Sequence, residues 1–219
     1  IVRLVGSEMC IRDRNITVSG TADINGTLDI GTGTFDANGT FDATGGSVTF
    51  TDAGQLNLAG TVTSLGTFTR STGTVEYDGS SSQTISGVDY YNLIVNNSSG
   101  ISMGANASVF GTLTFTSGDV TTNSNTLTIG ASGSVSGADA SKHINGHCAK
   151  ITSSTSAFTF PVGDGTRYRP ITLTPVASNS NTYSVEYNHS PHSDVSISGT
   201  SSIDHISPQY HWDINRTSG

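Results

Sequence analysis

The sequence predicts an all-β chain: a parallel β-helix, that is a solenoid with coils of about 20 residues, followed by a truncated antiparallel β-sandwich-like segment. Three observations carry this. A short Gly-[Thr/Ser]-apolar-x-apolar unit recurs along the first half, like residues align at an offset near twenty, and the composition changes abruptly beyond residue 150.

The unit reads GTLDI from Gly26, GTFDA from Gly33 and again from Gly39, GSVTF from Gly46, GTFTR from Gly66 and GTVEY from Gly73, with looser copies at Gly54 and Gly60. Its glycines lie six to eight residues apart, too close for the strand spacing of an ordinary sandwich. Alternation with period two puts the two apolar side chains on one face and the Thr and x residues on the other. Three units make one coil. At that offset Leu28, Val48 and Phe68 align, as do Phe35, Leu56 and Val75, and Phe41 with Val62. One coil cannot bury its apolar face alone, so the fold needs stacked neighbours. The pattern resumes at Asn92-Leu93-Ile94-Val95, Gly111-Thr112-Leu113, Asn125-Thr126-Leu127 and Gly133-Ser134-Val135, where Leu93, Leu113 and Val135 keep the offset. The solenoid is assigned to residues 15–150.

Residues 151–219 are assigned to an antiparallel β domain, truncated at its C-terminus. All five prolines lie beyond residue 160, all six histidines beyond residue 142, and only four of the 26 glycines lie beyond residue 150. Apolar runs lengthen to Tyr183–Tyr187 and Tyr210–Trp212, and this sheet is expected to pack on the last coil and cap it. Residues 1–14, IVRLVGSEMCIRDR, hold three of the seven arginines and break sharply from the Gly- and Thr-rich repeats beyond Asn15. They resemble the spurious translated runs found at the ends of reading frames in assembled environmental sequence, and are expected to stand outside the fold. The alternative is a genuine N-terminal strand, IVRLV.

Charged residues make up 12% of the chain, about half the usual share, and the net charge is −8. Without the three arginines and two carboxylates of residues 1–14 it is −9. Such a surface disfavours nucleic acid, which needs clustered Lys and Arg, and no apolar run is long enough for a membrane span. Two cysteines, Cys10 and Cys148, give no disulfide framework.

Each cluster of chemistry-bearing residues has a plain structural reading. His143, His147 and Cys148 fall within six residues, but no further ligand pair accompanies them, so no metal and no cofactor are expected. Asp29, Asp36 and Asp42 occupy outward positions and read as solvating the surface. Asp164 with Arg167 and Arg169 reads as an ion pair fixing a loop. Between residues 15 and 140 the single basic side chain is Arg70, which leaves a polysaccharide lyase without its base, and no GxSxG motif is present. No catalytic residues are assigned. Tyr90, Tyr91, Tyr210 and Trp212 are candidates for a ligand platform on which sugar rings could stack.

The run Gly73-Thr-Val-Glu-Tyr-Asp-Gly, through Gln83-Thr-Ile-Ser-Gly and Tyr90-Tyr-Asn-Leu, then GTLTFTSGDV, NTLTIG, FPVGD and YRPITLT, resembles the large repetitive surface proteins exported by gliding-type bacteria through type IX secretion. The resemblance covers roughly residues 60–219. It implies a cell-surface or extracellular location and an adhesin-like, non-enzymatic scaffold that is part of a larger protein, with surface glycans or extracellular matrix as partners. A carbohydrate-binding module and a polysaccharide-active β-helix enzyme are the alternatives.

Overall fold

Short strands joined by tight corners pair one coil away instead of with their sequence neighbours. The computed structural model, which describes residues 2–4, 9–11, 13–176, 179–196 and 206–218, shows this pairing. It is a β-solenoid of about 8 turns, 55% strand, with no helix among the described residues. Val2–Leu4, Ala22–Ile24, Phe41–Asp42 and Val62–Ser64 form one face. Met9–Ile11, Thr27–Ile30, Ser47–Phe50 and Thr67–Thr69 form a second. The third holds seven parallel strands: Ile16–Val18, Thr34–Ala37, Gln55–Leu58, Thr74–Tyr77, Asn92–Asn96, Thr112–Ser117 and Ser134–Ser136.

The registers are those of the twenty-residue offset. Leu28 pairs with Val48 and Val48 with Phe68 on the second face. On the third, one column runs Ile16, Phe35, Leu56, Val75, Leu93, Leu113, Val135. These inward residues form one apolar core, in which Leu28, Phe35, Leu56, Leu93 and Leu113 have no exposed surface. Coils approach closely at a corner where glycines stack. A Cβ on Gly39 would meet the Gly20 carbonyl oxygen at 2.4 Å, and one on Gly60 would meet that of Gly39 at 2.1 Å. Only glycine fits such a column.

Residues 1–14, expected to stand outside the fold, contribute to it where they are described. Val2 pairs with Ala22 and Met9 with Leu28, in the same parallel register as later coils, and Met9 packs on the core.

A seam interrupts the stack after the fourth coil. The first face ends at Val62–Ser64 and the second at Thr67–Thr69, so neither is hydrogen-bonded as a ladder to the next coil, Gln83–Ile85 and Asp89–Tyr90. Only the third face crosses, through Thr74–Tyr77 and Asn92–Asn96. Beyond the seam the first two faces merge. Val120–Ile129 and Ile144–Thr152 each run around a corner as one long strand, with a register shift between Thr121 and Thr126. The corner residue of the former is Asn123, at φ 55°, a left-handed conformation that Asn tolerates better than most residues. In the latter it is Gly146, at φ 116°, where a Cβ would fall 2.2 Å from the Thr122 hydroxyl.

The antiparallel segment grows out of the solenoid instead of sitting beside it. Ile144–Thr152 is parallel to Val120–Ile129 on one side and antiparallel to Asn181–Asn188 on the other, pairing Cys148 with Val185. His211–Ser218 then pairs with Asn181–Asn188 and ends the sheet. The expected boundary at residue 150 therefore falls inside a strand. A ribbon of Phe158–Phe160 and Ile171–Leu173 supplies a second layer, with Phe158, Ile171, Leu173, Tyr183 and Trp212 packed against the core.

Candidate functional site

The four platform candidates do not share a surface. Tyr90 is completely buried, and its hydroxyl lies 3.0 Å from that of Tyr77 while donating to the Ser86 carbonyl at 2.9 Å. Burial pushes both phenol pKa values up, Tyr90 well above its usual value. Its pairing register decides this: Tyr90 shares an inward column with Val109 and Ile129. Tyr90 therefore leaves the platform as a core residue at the seam, with its ring 5.8 Å from Phe68. Tyr91 is half-buried and lies in the chain just before the third-face strand. Tyr210 and Trp212 do come together, with ring centroids 5.8 Å apart, and Tyr187 joins them at 6.1 and 5.6 Å. Tyr210 is 36% exposed, and the Trp212 indole N–H donates to the Arg169 carbonyl at 2.9 Å. One exposed ring beside the half-buried Trp212 and the buried Tyr187 can offer a single sugar-stacking position.

His143, His147 and Cys148 diverge. Cys148 points into the core, and burial pushes its thiol up to about 12. His147 lies on the opposite, outer face of the same strand, 3.0 Å from Glu186. His143 is buried, its Nδ1 3.4 Å from Asp119 and its Nε2 without a partner. Among the described residues no group of three or more His, Cys, Asp or Glu side chains is placed to hold a metal ion.

Of the outward aspartates, Asp29 departs from its expected role. It is only 6% exposed, covered by Cys10 and accepting a hydrogen bond from the Thr51 hydroxyl at 2.8 Å. Asp36 accepts from the Asn38 amide and Asp42 from the Thr44 backbone N–H, both as local turn contacts. Asp164 ties its loop together, accepting from Arg167 Nη1 at 3.1 Å and from the backbone N–H groups of Thr166 and Arg167. Partial burial raises its carboxyl, but these donors outweigh that and hold it at about 2. Arg70, the one cation of residues 15–140, lies 3.6 Å from Asp89 with its guanidinium 3.9 Å above the Phe110 ring.

Two residues that sequence reasoning passed over do the most polar work. Gln83 fills the seam: its Nε2 donates to the carbonyls of Leu58 (2.7 Å) and Gly60 (2.9 Å), and its Oε1 accepts from Gly79 N–H (2.9 Å) and the Asn97 amide (2.8 Å). Beside it a hydroxyl-lined groove of about 320 Å³ runs between Thr61–Val62 and Ser80–Thr84. Lys150 occupies the inward column below Ile129, where the repeat calls for an apolar residue, and that mismatch is a signal the sequence does carry. Its ammonium donates to the carbonyls of Gly130, Ala131 and Gly133, capping the corner between Ile129 and Ser134.

No helix of the described residues is long and apolar enough to cross a membrane. No family model, no curated protein and no solved structure matches the chain.

Proposed function

We propose that the chain is a non-enzymatic extracellular scaffold, a stretch of a larger adhesin-like bacterial surface protein that presents other segments or adheres through its flat faces. The observation that carries this reading is the third face. Seven parallel strands run through both halves of the molecule, a stiff sheet of roughly 29 Å across its strands at the usual spacing. Its outward rows are amides, hydroxyls and carboxylates bonded to one another from coil to coil: Gln55 to Glu76, Asn96 to Glu76, Thr112 to Ser134. Such side chains are committed to rigidity. Arg70, held by Asp89 and Phe110, is likewise engaged in structure and not poised as a catalytic base.

The Tyr187, Tyr210 and Trp212 cluster favours a second reading, a carbohydrate-binding module. Binding of the full chain to an array of glycans and matrix proteins separates the two, with Trp212→Ala and Tyr91→Ala variants alongside. The scaffold reading expects no saturable binding that depends on Trp212. Saturable binding to one glycan class that is lost in Trp212→Ala and kept in Tyr91→Ala would replace it with the binding module.

A further inference from the structure

A strand that ends a sheet turns a row of unpaired N–H and C=O groups outward, and folded proteins keep such edges short, charged, bulged or covered. Among the described residues every strand that ends a sheet is three residues or fewer, with one exception. His211–Ser218 is eight residues long and, among the described residues, paired on one side only, through eight consecutive partners from Asn181↔Ser218 to Asn188↔His211 without a bulge. It contains neither proline nor lysine. Ile214, at its middle, is 45% exposed, beside a hollow lined by Leu173, Pro175, Val176 and Tyr183.

We propose that this strand is a self-association interface: two copies join edge to edge, antiparallel, about a twofold axis through Ile214, so that one sheet continues across both molecules. A twofold contact must be self-complementary, and the sequence of the strand decides the register. Centred on Asp213 or Arg216, the pairing sets like charges directly opposite, which destabilises a sheet. Centred on Asn215, it sets Ile214 against Arg216 and leaves Trp212 against Ser218. Centred on Ile214, it pairs the two half-exposed isoleucines, lays Arg216 of one copy across Trp212 of the other, and sets Asn215 against Asp213. Apolar contact, cation–π contact and an amide–carboxylate hydrogen bond then coincide.

The test is sedimentation of the full chain over a range of concentrations, with cysteine trapping of the register. A concentration-dependent dimer is expected, and Ile214→Lys, which sets two ammonium groups together at the axis, should weaken it about tenfold or more while the thermal melt shows the fold intact. In a Cys10→Ser background, Ile214→Cys should form an intermolecular disulfide on mild oxidation, because residues opposite across an antiparallel pair sit about 4.5 to 5.5 Å apart, within disulfide reach. Asn215→Cys should cross-link much more slowly. A chain that stays monomeric at high micromolar concentration overturns the proposal, as does a dimer indifferent to Ile214→Lys or one that cross-links faster through position 215.

Discussion

Lys150 is one of two lysines in the chain, and it sits 6% exposed in an apolar column. Burial lowers its pKa, yet three carbonyls face its ammonium, so the charge is the bond that closes the corner at Gly130–Gly133. Replacing it by methionine keeps the stem and strands those carbonyls; Lys150→Met should lose roughly 1 to 3 kcal/mol in urea denaturation. Its neighbour Cys148 makes a prediction about pH. A thiol raised from 9.0 to about 12 favours the protonated form in the folded state. That contribution is fully present below pH 9 and is lost as pH rises toward 12, amounting to at most about 4 kcal/mol. The buried Tyr77 and Tyr90 phenols act in the same direction, and Lys150 opposes them, since the cost of its charge is relieved as pH rises toward 10.5. Cys148→Ala isolates the thiol: its stability should fall less steeply than wild type between pH 9 and 11, and an unchanged slope would rule the thiol out. Asp78 acts in the same direction in a lower pH window, because burial and the nearby Glu76 and Asp36 raise its carboxyl and make ionisation at neutral pH unfavourable. Asp78→Asn should stabilise the protein by up to about 1 kcal/mol at pH 7, an advantage that disappears in a melt at pH 3.

At the scale of elements, what a strand faces was legible wherever alternation and the twenty-residue offset spoke together. Leu28, Val48 and Phe68 align in sequence and pair in register, because a one-residue slip would turn every apolar side chain to solvent. Tyr90 shows the limit: Asp89–Tyr90 is two residues long, too short for alternation to tell inside from outside. The merged strand Val120–Ile129 was opaque for a related reason, since its corner is carried by Asn123 and not by the glycine that marks corners elsewhere. The seam was hidden because the column on the third face runs across it unbroken, while the cut lies in what the other two faces fail to pair. Gln83 substitutes there for a missing ladder, and its four hydrogen bonds are buried or half-buried. Gln83→Ala should cost roughly 2 to 4 kcal/mol, read from the urea midpoint, whereas Gln55→Ala on the outer third face should cost under about 1.

For the whole molecule, a solenoid is stable through the interfaces between adjacent coils, so its cooperativity is only as strong as its weakest interface. That interface is the seam, where one ladder of three crosses, helped by the Phe68–Tyr90 ring contact, the Tyr77–Tyr90 hydroxyl pair and the Gln83 bridge. The half after it is anchored by the long merged strands and the antiparallel sheet that shares Ile144–Thr152 with them. The half before it ends in strands of three residues. The two halves should therefore open at different free energies, the N-terminal coils first. Native-state hydrogen exchange in increasing urea measures this directly. Amides of Val62–Ser64 and Thr67–Thr69 should exchange before those of Asn92–Asn96, and Gln83→Ala should widen the gap between the two groups. A single isotherm shared by all these amides, in wild type and variant alike, would mean that the third face alone couples the stack into one cooperative unit and that the seam is mechanically silent.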